Sequence, residues 1–178
     1  MDPVADITLR AALALLFVAA AGHKLRDPGR FRATLADYRL LPTALVRAGA
    51  VLLTGAELVV AVVLAVPTLR APGALAAALL LAVYGAAIAV NLARGRRHIE
   101  CGCAGPAGRR PLDGWLVVRN GVLVGVALAG LAPLRARSLT WVDVLTVTGA
   151  TAVLAACYGS ADRLLASAPA LARRRGQP

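Results

Sequence analysis

Charged residues are scarce in this sequence, and acidic residues are the scarcest of them. Only 16% of the 178 residues are charged, with 9 acidic against 20 basic side chains, whereas 59% are hydrophobic. Soluble domains carry about 25% charged residues and are about half apolar. The composition therefore excludes an ordinary soluble domain and predicts an integral membrane protein, whose length allows one compact unit.

The net charge of +11 raises nucleic-acid binding as an alternative. The basic residues, however, fall between long apolar runs and not on one soluble face, a distribution typical of membrane topology. We therefore expect a lipid bilayer as the partner and no nucleic acid.

Five apolar runs predict transmembrane helices. They cover residues 7–22, 44–66, 71–93, 115–134 and 141–157. The last four match the roughly 20 residues that cross a bilayer core of about 30 Å, and Trp115 and Trp141 stand at span entrances as interfacial aromatics do. The first run resembles a signal peptide, but its leader carries Asp2 and Asp6 and no early basic residue. We expect a retained helix whose Arg10 extends to the interface.

The segments outside these runs are polar. Between the first two runs, Phe31, Leu35, Tyr38 and Leu41 recur at helical spacing, which indicates an amphipathic interfacial helix, although a solvated loop fits equally well. We expect a transmembrane domain over residues 1–162, followed by a basic, disordered C-terminal tail over residues 163–178.

The polar side chains are predicted to converge on one membrane face. Five spans leave the chain ends on opposite sides, so the connections alternate between two faces, and the cysteine-containing connection shares its face with the loop after the first span. At or just beneath this face we expect the following residues: His23, Lys24, Arg47, Asn91, Cys101, Cys103, Arg119, Asn120 and Cys157.

Two cysteines separated by one glycine lie in the basic connection at that face. A disulfide between Cys101 and Cys103 departs from relaxed geometry, and such strain makes the bond easier to reduce. Gly102 permits the turn. Neighbouring arginines stabilise a thiolate, which Glu100 opposes. The pair predicts thiol–disulfide chemistry.

A third cysteine, Cys157, is expected to return to the same face. There it either relays a disulfide or acts as a small apolar residue, and the second role is the more common one. Together with His98 the three cysteines offer four soft metal ligands, but Cys-x-Cys with one histidine is not the usual zinc spacing. Redox chemistry is therefore favoured over a metal site.

Glu57 lies near the middle of the second span. It belongs to a small and polar stripe at three- and four-residue steps that is predicted to face the interior: Arg47, Ala50, Thr54, Glu57 and Ala61. An ionisable residue inside a membrane marks a functional site by default. Glu57 either pairs with Arg119, or is held protonated by burial and passes a proton during electron transfer. A packing hydrogen bond is the simpler alternative.

The remaining polar groups suit either a ligand or helix packing. Arg119, Asn91 and Tyr84 are placed to donate to a quinone carbonyl, yet such residues more often snorkel to the interface or bond a neighbouring helix. In the fourth span Gly121 and Gly125, continued by Ala129, form a small-xxx-small pattern, which predicts close approach of another helix.

Three stretches together resemble the MauE group within the DoxX-like membrane proteins. They are Ala21-Gly22-His23-Lys24-Leu25-Arg26-Asp27-Pro28 with Phe31 three residues on, Cys101-Gly102-Cys103-Ala104-Gly105, and 115–120 at the start of the fourth span. The resemblance covers nearly the whole chain. It implies a DoxX-like four-helix bundle plus one additional helix, similar to the vitamin K epoxide reductase type.

The same resemblance implies a role in methylamine metabolism. Members of this group help to mature the small subunit of methylamine dehydrogenase, which carries many disulfides, beside a thioredoxin-like partner. Cys101 and Cys103 are then the redox pair, with a quinone as a candidate cofactor, in a multi-pass protein of the inner (plasma) membrane.

Two questions stay open at the level of sequence. The positive-inside rule places the thiols in the cytoplasm, because most lysines and arginines share their face, whereas oxidation of an exported partner needs them outside. Besides a thiol–disulfide redox or maturation factor, the alternatives are a non-enzymatic anchor or assembly subunit of a redox complex and a small proton-coupled transporter using Glu57.

Overall fold

The computed structural model of the chain describes residues 1–97, 99 and 112–175, with side chains up to residue 161. Six α-helices are assigned in this range: α1 (Pro3–Arg26), α2 (Pro28–Asp37), α3 (Val46–Ala65), α4 (Arg70–Ala93), α5 (Gly114–Ala129) and α6 (Trp141–Arg175). Short 3-10 turns at Thr43–Leu45 and Pro67–Leu69 precede α3 and α4. The predicted all-α fold is confirmed.

Aspartate caps fix three of the helix starts. The side chain of Asp2 accepts from the backbone N–H of Val4 at 2.8 Å, and that of Asp27 accepts from Arg30 at 2.9 Å. Asp113 caps α5 in the same way. Such caps satisfy backbone donors that have no partner inside the helix. Since Pro28 follows Asp27 directly, α1 ends and α2 begins at this point.

Helices α1, α3, α4 and α5 form a bundle, with α6 outside it. Contacts join α1 to α3, α3 to α4 and α4 to α5, while α6 packs on α1. The shared core includes Phe17, Leu64 and Ala77, each at most 1% exposed. Small residues along α4 let its neighbours approach closely. This arrangement is the four-helix bundle plus one helix that the resemblance implied.

Four of the helices are long and apolar enough to cross a membrane: α1, α3 with its preceding turn, α4 with its preceding turn, and α6 over Trp141–Ala161. The helix α5 is shorter than predicted, with 16 residues or roughly 24 Å of length. It ends at Ala129, and Gly130 is its C-cap. With α5 included, the count of about five spans agrees with the sequence.

The outer helix α6 exposes most of its surface. Trp141 is 75% exposed. Only 6% of an apolar 18-residue stretch of this helix is buried inside the protein. Lipid is the natural environment for such a surface. The helix extends past the predicted fifth span to Arg175 and takes in most of the predicted tail, since alanine, leucine and arginine all favour helix.

The segment between α1 and α3 contains a helix, so the loop alternative is wrong. Leu35 of α2 and Leu41 of the following turn both reach Gly49 of α3, where an added Cβ would lie 2.7 Å from Leu41 and 3.5 Å from Leu35. Tyr38 is buried. The apolar side of this short amphipathic helix therefore packs on α3.

The predicted packing of the Gly121 and Gly125 stripe is wrong. A Cβ added at either glycine would meet nothing within 4 Å in the part of the chain that the structure describes. The close approach between α4 and α5 occurs instead at Gly85, where an added Cβ would lie 3.3 Å from Cβ of Asn120. The spacing of small residues did not reveal which side of α5 faces the bundle.

Candidate functional site

A buried ring of three polar side chains joins α1, α3 and α4. Lys24, in the last turn of α1, donates to Oε1 of Glu57 in α3 at 2.5 Å. The same ammonium donates to the hydroxyl of Tyr84 in α4 at 3.0 Å, and this hydroxyl donates to Oε1 of Glu57 at 2.9 Å. Each of the three groups contacts the other two.

Aromatic faces complete the surroundings of the ammonium. Nζ of Lys24 lies 4.7 Å from the ring centre of Phe31 and 4.8 Å from that of Tyr84. A cation at this distance from an aromatic face is attracted by the ring quadrupole. Because Phe31 belongs to α2, the short helix covers the ammonium at the end of α1.

The Lys24–Glu57 pair is almost completely shielded from solvent. The two side chains are 2% and 1% exposed. Removing one partner of such a pair typically costs about 3–5 kcal/mol, because the other charge is left buried and unpaired. Pairing of Glu57 with Arg119 is therefore wrong, since the carboxylate already has a cation at 2.5 Å.

Arg119 has a different neighbour. Its guanidinium lies 5.8 Å from the ring centre of Tyr158, so it connects α5 to α6. Asn120, the next residue, is 3% exposed and donates to the carbonyl of Leu116 at 2.8 Å. Asn120 therefore faces the bundle while Arg119 points towards the outer helix.

Asn91 is completely buried near the end of α4. Its Nδ2 donates to the carbonyl of Ala87 at 3.0 Å. This bond fixes the orientation of the amide, because exchanging the two atoms would set oxygen against oxygen. Oδ1 of Asn91 accepts no hydrogen bond within the described part of the chain, and neither does Oε2 of Glu57 or Nδ1 of His23.

The connection that carries the cysteines leaves and rejoins the bundle at one point. The backbone N–H of Leu112 donates to the carbonyl of Ile99 at 3.1 Å. Both side chains are buried, in one cluster with Tyr38, Ile88 and Leu116. His98, Glu100, Cys101 and Cys103 lie outside the described residues, so the predictions on them rest on sequence, as does the soft metal set that contains three of them.

Two further predictions on this face concern exposed residues. The side chain of Cys157 is exposed on α6. Arg47 is exposed at the start of α3, whereas Val46, Ala50, Thr54, Glu57 and Ala61 are buried. The interior stripe is therefore correct from Ala50 onwards and wrong for Arg47, which lies where the helix emerges from the bundle.

A second charge network closes the opposite end of the bundle. Asp6 accepts from Arg70 at 2.8 Å and from Arg10 at 3.4 Å. Arg10 also donates to the carbonyl of Leu64 at 2.8 Å, and Arg70 donates to that of Ala132. Arg10 is buried, so the expectation that it extends to the interface is wrong. The spacing of four residues between Asp6 and Arg10 could have predicted this ion pair from the sequence, because residues four apart are neighbours on a helix.

An exposed network lies beside this end. Arg137 donates to Asp2 at 3.0 Å and to Asp143 at 2.7 Å. The hydrogen bond from Arg137 is the main cause that lowers the pKa of Asp2, and bonds to Asp143 and Asp2 raise the pKa of Arg137. The N-terminus also donates to the carbonyl of Pro133. These contacts hold the start of α1 against the connection between α5 and α6.

The bundle, its buried polar ring and its apolar outer surface define a multi-pass membrane protein. The family model of methylamine utilisation protein MauE matches residues 2–133. The chain belongs to this family.

Curated relatives match over most of the chain. The methylamine utilization protein MauE of Paracoccus denitrificans is 43% identical over 157 residues, which cover 86% of this chain and 84% of the relative. That of Methylophilus methylotrophus is 38% identical over 170 residues, covering 92% and 87%. That of Paracoccus versutus is 43% identical over 164 residues, covering 92% and 88%. No solved structure matches the chain.

Proposed function

We propose that the protein is a thiol–disulfide redox factor of the inner membrane in methylamine utilisation, needed for maturation of the methylamine dehydrogenase small subunit. Cys101 and Cys103 are the redox pair, and a thioredoxin-like protein is the partner. The names of the relatives support the pathway.

The observation that carries the redox role is the anchoring of the cysteine connection. Ile99 and Leu112 are joined by a backbone hydrogen bond and buried against residues of α4 and α5 and against Tyr38, which follows α2. Residues 100–111 therefore start and finish at one fixed point. The attachment of both ends of this connection to the bundle supports a dithiol that works next to the membrane helices.

The proposed exchange conserves electrons and protons. A thiolate of the partner attacks the Cys101–Cys103 disulfide and forms a mixed disulfide, which the second partner thiol resolves. The partner leaves with a disulfide, and Cys101 and Cys103 hold two electrons and two protons as thiols. Regeneration of the disulfide between Cys101 and Cys103 releases two electrons and two protons, which a membrane quinone would accept.

Serine substitution of each cysteine tests this function. In cells that depend on this protein for growth on methylamine, Cys101→Ser and Cys103→Ser should each abolish growth and leave the dehydrogenase small subunit with free thiols. Cys157→Ser is the matched control, because this cysteine is exposed on α6 and lies outside the Cys-x-Cys pair. It should grow as the unaltered protein does.

A scaffold would give a different result. If both serine variants support growth at a normal level of protein in the membrane, the redox proposal is wrong and the anchor or assembly subunit is the better description. We do not favour the transporter, because Glu57 is held in a buried ion pair with Lys24, and the two side chains are 1% and 2% exposed.

A further inference from the structure

The two ends of the bundle differ in how their arginines are neutralised. At the end where α1 begins, Arg10 and Arg70 bind Asp6, and Arg137 binds two further aspartates. At the end where α1 and α4 finish and α3 begins, exposed arginines form no ion pair within the described part of the chain. These residues, which we call the arginine surface, are Arg26, Arg32, Arg39, Arg47, Arg94 and Arg97.

Few carboxylates are available to balance the arginine surface. Apart from the buried Glu57, the acidic residues described at this end are Asp27, Asp37 and Asp113. The side chains of Asp27 and Asp113 already cap the starts of α2 and α5. The described residues therefore leave this end with a net positive charge, which attracts anions from outside the chain.

Exposed leucines lie among these arginines. Leu25, Leu40 and Leu45 are each at least 39% exposed, and each lies within two residues of an arginine of this surface. A free anion in solution would satisfy the arginines but leave the leucines in water. At the boundary between acyl chains and headgroups, leucine stays in the apolar region while arginine extends its guanidinium to the phosphates.

Arg39 has a backbone conformation that arginine rarely adopts. Its φ angle is 48°, directly after the C-cap of α2, and its N–H donates to the carbonyl of Ala36 at 3.0 Å. Glycine is the usual residue at this position of a helix end, because a Cβ is disfavoured there. An exposed arginine at a position that favours glycine indicates a role for its side chain.

We infer that the arginine surface binds the headgroup phosphates of anionic phospholipids. The planar guanidinium matches the geometry of a phosphate and forms paired hydrogen bonds with it. Clusters of basic residues beside transmembrane helices bind anionic lipids in this way. The inference is independent of the proposed redox function, since it involves neither cysteine of the pair.

Quenching of tryptophan fluorescence by brominated lipids tests each end of the bundle separately. Trp115 precedes Leu116, which packs in one cluster with Tyr38, the neighbour of Arg39, whereas Trp141 starts α6 at the opposite end. The full chain, as Trp141→Phe or Trp115→Phe, is placed in phosphatidylcholine nanodiscs that contain either brominated phosphatidylglycerol or brominated phosphatidylcholine. We expect phosphatidylglycerol to quench Trp115 more strongly than phosphatidylcholine does, and both lipids to quench Trp141 equally. High salt should reduce the difference at Trp115.

Arginine variants and one control decide the assignment. Arg26→Gln, Arg39→Gly and Arg47→Gln should each lower the preference for phosphatidylglycerol at Trp115, by up to about fivefold, and the triple variant should lose most of it. Arg39→Gly should also unfold at a higher temperature in pure phosphatidylcholine, because glycine suits the backbone; a merely structural arginine would not change the lipid preference. Arg135→Gln is the control, since Arg135 is exposed at the opposite end, and it should behave as the parent does.

Several results would overturn the inference. They are equal quenching of Trp115 by the two lipids, the same preference at Trp141, and an unchanged preference in the triple variant. Phosphatidylglycerol should raise the unfolding temperature of the parent, whereas inorganic phosphate at equal ionic strength should not; equal stabilisation would identify a site for a free anion. If the triple variant does not fold, the single variants decide. Growth on methylamine is not part of the measurement, so failure of the redox function and failure of lipid binding are separate results.

Discussion

Lys24 and Glu57, 33 positions apart in the sequence, form a 2.5 Å ion pair inside the bundle. The pair ties the end of α1 to the middle of α3, and Tyr84 adds α4 to the same ring. The pair lies near the C-terminal end of α1, while Asp6 lies near its N-terminal end. The following predictions test these relationships.

Breaking the ion pair on one side should destabilise the protein more than removing both charges. Lys24→Met or Glu57→Gln should each cost about 3–5 kcal/mol, because one group stays buried without its partner. The double variant should recover much of this loss. Thermal unfolding of the four proteins in detergent gives the double-mutant cycle. Additive losses would show that the two residues do not interact.

A large side chain at Gly85 should destabilise the protein. Gly85→Leu should lose about 1–3 kcal/mol of stability, because Asn120 lies 3.3 Å from the position of the new Cβ. Gly125→Leu is the matched control on the exposed side of α5, with nothing within 4 Å. Equal unfolding temperatures for the two variants would contradict the packing of α4 on α5.

Removing the carboxylate of Asp6 should destabilise the protein, because this group binds two arginines. Asp6→Ala leaves Arg10 and Arg70 without their shared carboxylate, and the expected loss is about 3–5 kcal/mol. The control is Asp37→Ala at the exposed end of α2, where we expect a change within about 0.5 kcal/mol. Chemical unfolding in detergent measures both, and a small effect of Asp6→Ala would remove this network as a stabilising element.

The contact between Asp2 and Arg137 should depend on pH in one direction. Since the pKa of Asp2 is lowered below its ordinary value of 3.8, its stabilising contribution is present above that value. The contribution is lost as the pH falls through the lower pKa of the folded protein. The difference in unfolding temperature between the unaltered protein and Asp2→Asn should therefore vanish in acid. A difference independent of pH would exclude this origin.

Labelling should decide the side of the membrane that carries the redox thiols. In a Cys157→Ser background, Cys101 and Cys103 are the remaining thiols. If the protein oxidises an exported partner, a membrane-impermeant thiol reagent should label intact cells only after reduction. Labelling that requires permeabilised cells would support the cytoplasmic arrangement that the distribution of basic residues predicts.

The sequence by itself determined the elements of this protein. The lengths of the apolar runs defined the spans, and the Asp27-Pro28 junction separates α1 from α2 in the structure. Both are local properties, since bilayer thickness sets the run length and a proline restricts the residue before it. The three- and four-residue spacing of small and polar residues in the second span also marked Glu57 as an interior residue.

Only the tertiary structure decided which residues meet. The sequence offered Arg119 as a partner for Glu57 and Gly121 and Gly125 as a packing surface, and both were wrong, as was the extended position of Arg10. Spacing along a helix shows which residues share a face, but the rotation of each helix about its axis is set by packing against several neighbours at once. Lys24 reaches Glu57 because α1 and α3 adopt one such rotation, and no pattern within either helix contains that information.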